Sequence, residues 1–132
     1  MPVRKCTLED LDWLLESAAK GFGIHMRDAD AARSWTEKAL SSPKALFLRT
    51  EKSFLVAVSG TSFFDPQTPK VIIEFFAGKR PEIDDMFLEV REWAKSHGAS
   101  KIYFQPRTGY NAANLAESVG AKSDFPAFVW SI

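Results

Sequence analysis

Val71-Ile72-Ile73-Glu74-Phe75-Phe76-Ala77, followed by Gly78-Lys79-Arg80-Pro81 and a long segment from Glu82 to Ser96, decides the fold. The first seven residues are β-branched or aromatic except for Glu74 and the final Ala77, which predicts a central strand. Beyond them Ile83, Phe87, Val90 and Ala94 recur at helical spacing, Pro81 suits a first helical turn, and His97-Gly98 stops the helix. Lys101 to Gln105 reads as a strand again. A strand, helix and strand in this order predict a right-handed parallel crossover.

Upstream of this unit, Ala45–Arg49 and Phe54–Ser59 have strand period, with Glu51-Lys52-Ser53 as a hairpin turn and Asp65–Pro69 as a loop. With Val71–Ala77 they make an antiparallel meander. Further upstream, a short strand at Val3–Cys6 precedes a helix capped by Thr7, with Asp10 in its first turn and Leu8, Leu11, Leu15, Ala18 and Phe22 on one face. That helix runs to about Ala19. A second helix spans Asp30 to Leu40 and buries Ala32, Trp35 and Ala39. Downstream, Asn111–Val119 is a short helix ended by Gly120, and Ala127–Ile132 a last strand with Phe128, Trp130 and Ile132 on one side. The expected fold class is α/β: a mixed, mostly antiparallel sheet of six to seven strands flanked by four helices, with one β-α-β crossover, in a single domain over residues 1–132.

Composition narrows the function classes. Apolar residues at 45% and charged residues at 26% are those of a folded globular chain. Seventeen basic residues balance seventeen acidic ones, which removes the general electrostatic argument for nucleic acid or an anionic membrane as partner. A phosphate site has to be local. The one cysteine, Cys6, has no internal disulfide partner, and no Cys/His cluster has metal-ligand spacing, so no metal site is expected. The N-terminus lacks the apolar run of a signal peptide and no stretch has the length of a membrane span, so the expected location is cytoplasmic. Phe63-Phe64 and Phe125, Phe128 and Trp130 concentrate aromatic surface that serves as core, as an acceptor-site wall or as a homodimer face.

Glu74 is the chemical candidate of the deciding stretch. A carboxylate in the middle of a central strand is costly unless it faces a cleft. Desolvation there would raise its pKa and suit it to accept a proton from an ammonium group. The competing account is a structural Glu paired with an Arg, or one facing solvent at a sheet edge.

The order of elements, with Val71–Ala77, the helix from Met86-Phe87 to Gly98, and Asn114-Leu-Ala-Glu-Ser-Val-Gly-Ala, resembles the GNAT (Gcn5-related N-acetyltransferase) superfamily over nearly the whole chain. Arg107-Thr-Gly-Tyr110 is also similar to a stretch in small GNAT-like proteins of tailed phages. The resemblance implies an acyl-CoA-dependent N-acyltransferase, with acetyl-CoA as donor and a small-molecule or protein amine as acceptor. It implies Glu74 as general base and the backbone amides of Phe76 and Ala77 as the site for the thioester carbonyl. It places Lys79, Arg80, Ile83 and Asn114 at the cofactor, with the pyrophosphate on the start of the following helix. His25, in the link between the first two helices, and Tyr110 would border the acceptor.

Two departures from the family pattern stand out. Its phosphate loop reads Gln/Arg-x-x-Gly-x-Gly/Ala, and the corresponding positions here carry Gly78, Pro81 and Ile83. Pro81 supplies no N–H, Ile83 crowds the approach that glycine leaves open, and Asp84 with Asp85 would repel a pyrophosphate that Lys79 and Arg80 attract. The tyrosine that protonates the leaving thiolate in the family aligns with Ala116, which leaves Tyr103 and Tyr110 as replacements. The alternative is a GNAT-fold binding or interaction module without catalysis.

Overall fold

The computed structural model describes residues 2–21, 28–61, 66–104, 122–124 and 127–132. Strands β1 (Arg4–Lys5), β2 (Ala45–Arg49), β3 (Phe54–Gly60), β4 (Lys70–Ala77), β5 (Lys101–Phe104), β6 (Lys122–Asp124) and β7 (Ala127–Ser131) form one sheet in the order β1-β2-β3-β4-β5-β7-β6. Only β4 and β5 run parallel; the other neighbours are antiparallel. The meander and the parallel β-α-β unit thus stand where the sequence places them. Strand β6 was not expected: Lys122-Ser123-Asp124 has no strand propensity of its own and is a strand because it pairs with β7. The helix expected over Asn111–Val119 lies outside the described residues.

Helix α1 (Leu11–Glu16) is entered through a 3-10 turn, Leu8–Asp10, and continues into a π-helical turn, Ser17–Gly21. This explains a change of phase. In a 3-10 turn the residues advance 3.0 per turn, so Leu8 falls off the buried stripe and is exposed, while Leu11, Leu14 and Ala18 are buried. Helix α2 (Ala29–Leu40) starts one residue earlier than the spacing suggests, because the Asp28 carboxylate accepts a 2.9 Å bond from the Ala31 N–H. Its buried residue is Thr36, and Trp35, expected inside, is 50% exposed. Helix α3 (Arg80–Ser96) carries Pro81 in its first turn. No helix among the described residues is long and apolar enough to cross a membrane.

The sheet separates two clusters of apolar side chains. On one face Ile83, Met86, Phe87, Val90 and Ala94 of α3 pack on Leu46, Leu48, Leu55, Ala57, Val71, Ile73 and Phe76. Phe87 meets Phe76 and Phe104 edge to face, with ring centroids 5.3 and 5.2 Å apart. On the other face Leu14 and Ala18 pack on Phe47, Phe54, Val56 and Ala77.

Asp10 ties the N-terminal segment to the sheet. It is 5% exposed, accepts from Arg4 at 2.8 and 2.9 Å, from Arg49 at 2.9 Å and from the Thr7 N–H at 2.8 Å, so β1, the 3-10 turn and β2 share one carboxylate. Arg49 also lies 3.5 Å from the Trp13 ring centroid. The bonds from Arg4, then from Thr7 and Arg49, outweigh burial and hold the Asp10 carboxyl well below the usual carboxylate range. Its folded-state pKa lies below the unfolded value near 4, so its contribution to stability is complete above that pH and fades as pH falls toward the folded value. Asp10→Asn should cost about 2–3 kcal/mol at neutral pH in urea unfolding. The gap between wild type and variant should narrow below about pH 4; a gap that stays constant on acidification would remove the ion-pair account.

Candidate active site

Cross-strand partners in a sheet share a face, and that rule fixes where Glu74 points. Phe75 pairs with Val56 and Ile73 with Ala57, so Glu74 is the extra residue of a β-bulge. Strict alternation back from Phe76, which faces α3, would send residue 74 into the α3 core. The bulge prevents this. It sets Glu74 and Phe75 on the same side of the sheet, where both line a cavity of about 230 Å³ under α1 and α2. Burying an unpaired carboxylate in the α3 core would cost several kcal/mol, on the order of what isolated buried charges cost elsewhere. The register slip is the less costly solution.

The cavity is walled by Leu14, Leu15 and Ala18 of the first helical segment, Trp35 and Thr36 of α2, Phe47, Phe54 and Val56 of the sheet, and the bulge pair. Phe54 stacks on Phe75 at 5.1 Å and meets Trp13 edge-on at 5.9 Å. Trp35 stands at the rim, its ring 6.4 Å from that of Phe47. The Thr36 hydroxyl is committed to the Ala32 carbonyl at 2.8 Å. Glu74 is the charged residue of the described lining. It is exposed, so the desolvation expected of it does not occur. Among the described residues it has neither an ion pair nor a hydrogen-bond partner, and its strand is fourth of seven, so the edge account does not apply.

Among the described residues, parallel pairing between β4 and β5 covers Val71–Ile73, with Ile73 opposite Phe104. Phe76 and Ala77 lie beyond that point, their side chains buried in the α3 core and the α1 face respectively, so a role in binding would be a main-chain role. Ile83 is completely buried in the α3 core and its N–H bonds the Lys79 carbonyl at 3.0 Å. It turns inward instead of crowding the helix start. Lys79 is exposed, and the Arg80 guanidinium bonds the Asp84 carboxylate at 2.9 Å. His25, Tyr110, Asn114 and the Arg107–Tyr110 stretch lie outside the described residues. Tyr103, paired with Ile72 and so on the Glu74 face of the sheet, lines a separate cleft with Lys70 and Lys101. Cys6 is part-buried, and burial, with Asp10 adding to it, pushes its thiol up to about 12, which excludes a thiolate nucleophile. His97 is structural: its ring lies 2.9 Å from the Trp93 and Pro43 carbonyls, joining the end of α3 to the loop before β2.

The start of α3 does not fit a pyrophosphate. Gly78 has φ +136°, and a Cβ there would run into the side chain and backbone of Ser53. That close approach puts the buried Ser53 hydroxyl against the helix start, where it accepts from the Lys79 N–H at 3.0 Å and donates to Glu82 at 2.6 Å. Pro81 has no N–H and the Lys79 N–H is engaged by Ser53, whose hydroxyl also holds the Glu82 carboxylate, so a negative charge already stands at this helix start. The Ser53 hydroxyl, and after it Thr50, lowers the Glu82 pKa and keeps it ionised there. Sequence reasoning missed Ser53, Glu82 and Trp35; Gly78 before a helix was the visible signal for the first two.

No protein-family model matches the sequence, and no curated protein matches it. Solved structures do match. A probable acetyltransferase superposes with a TM-score of 0.72 at 19% identity, covering 94% of this chain and 91% of the other. A transcriptional regulator from Bacillus halodurans gives 0.73 at 14% identity over 93% of both chains. An aminoglycoside antibiotic 6'-N-acetyltransferase from Acinetobacter haemolyticus gives 0.70 at 15% identity over 93% of this chain and 92% of its own. The chain has the GNAT fold. This chain combines a bulged central strand and an apolar cavity under the first two helices with a helix start occupied by Ser53 and Glu82.

If Glu82 occupies an anion seat, Glu82→Gln should strengthen acetyl-CoA binding about threefold to tenfold in low-salt calorimetry, with the gain shrinking in high salt. Equal affinity of wild type and variant would show that no phosphate approaches this helix start.

Proposed function

We propose that the protein is an N-acyltransferase that passes an acetyl group from a thioester donor directly to a primary amine. The observation that carries this is the unpaired Glu74 carboxylate, held by a β-bulge at the mouth of an apolar cavity on the central strand. Glu74 holds the incoming ammonium and takes its proton, directly or through a water, so that the neutral amine can attack. Because Glu74 is exposed, proton loss to solvent afterwards is open to it. Phe76 and Ala77, at the C-terminal end of β4, are the main-chain candidates to face the acyl carbonyl. Acetyl-CoA remains the donor expected from the resemblance, with its recognition resting on its acyl end. The cytoplasm is the location that goes with this reading.

The non-catalytic binding module draws its support from the filled α3 start; acetyltransferases among the fold neighbours weigh toward the enzyme. Release of free thiol from acetyl-CoA in the presence of primary amines tests the choice. Wild type should turn over, and Glu74→Gln should lower kcat/KM by about 10²–10⁴ with an unchanged melting temperature. Undiminished turnover in the variant would remove Glu74 as base, and no turnover with any amine, joined to no thermal stabilisation by millimolar acetyl-CoA, would leave the binding-module reading.

A further inference from the structure

We infer that the Glu74 cavity takes a primary monoamine carried on one compact apolar body, a single aromatic ring or a branched alkyl group of similar size, and that polyamines, amino sugars and lysine-rich peptides are poor occupants. The fate of the amine rests on the N-acyltransferase reading, whereas its binding does not. Size sets the first limit. The cavity holds about 230 Å³, and an apolar cavity of about 150 Å³ already accepts a benzene ring. A ring with a two-carbon tether fits, and a pair of sugar rings does not.

Chemistry sets the second limit. The walls are Leu, Ala, Val, Phe and Trp side chains, with two polar residues among them, and the Thr36 hydroxyl already donates within its own helix. Among the described residues one carboxylate faces this lining, so one ammonium is matched. A second ammonium or a ring of hydroxyls would lie against Leu14, Phe54 and Phe75 without partners and would lose its hydration for nothing. Half-exposed Trp35 offers an aromatic face at the entrance, where the apolar body passes or remains. Ile72, on the same face of β4 as Glu74 and 46% exposed, extends the apolar surface along the strand.

The test is calorimetric titration of the full chain at neutral pH, without acyl donor, using 2-phenylethylamine, its neutral analogue 2-phenylethanol, spermidine and glucosamine. Phenylethylamine should bind at least about tenfold more tightly than each of the other three. Glu74→Gln should erase the preference for amine over alcohol. Trp35→Ala, at a half-exposed position whose loss leaves the core intact, should weaken both aromatic ligands about fivefold. Spermidine or glucosamine binding as tightly as phenylethylamine, no binding of phenylethylamine, or binding that ignores both substitutions would overturn the inference. The two readings fail separately in a transfer assay. Tight phenylethylamine binding without acetyl transfer removes the enzyme and leaves this site, while transfer to spermidine with phenylethylamine inert removes this site and leaves the enzyme.

Discussion

Two residues of β4 stand opposite one register step of β3, and the site follows from that slip. Because paired residues share a face, the extra residue shifts the alternation of the central strand, so Val71 and Ile73 serve the α3 core before the slip and Phe76 serves it after. Glu74 and Phe75 fall together on the opposite side. A single irregularity therefore keeps a charge out of one core and presents it at the mouth of a cavity in the other. Bulges bend a strand and locally disrupt pairing, and here the disruption falls directly after Ile73, which pairs with Phe104 of β5.

The junction of β4 and α3 shows the opposite kind of specialisation. Gly78 lets the turn between β2 and β3 press against the helix start, and Ser53 there links the Lys79 N–H to the Glu82 carboxylate. The arrangement stabilises the helix dipole internally, as a bound anion would. The apolar cavity and Glu74 lie elsewhere, on the face of the sheet opposite α3.

Much of the architecture was legible in the chain. Strand period at Ala45–Arg49, Phe54–Ser59 and Val71–Ala77, helical period through Ile83, Phe87, Val90 and Ala94, the helix start at Pro81 and the stop at Gly98 are local properties that survive into the structure. The misreadings have physical causes. A 3-10 turn and a π turn at the two ends of α1 moved Leu8 out of the buried stripe. Trp35 is large enough to line a cavity rim while its helix buries the smaller Thr36. Strand β6 exists through its partner and not through its residues.

Residue types and their spacing by themselves determined the α/β class, the parallel crossover and the singular position of Glu74, because each depends on hydrophobic periodicity or on one charge in an apolar run. Only the tertiary structure decided which face Glu74 takes, that Ile83 turns inward and that Glu82 pairs with the Ser53 hydroxyl. Those outcomes depend on register against β3 and on how closely the Ser53 turn approaches Gly78, relations between segments far apart in the chain that no local pattern encodes.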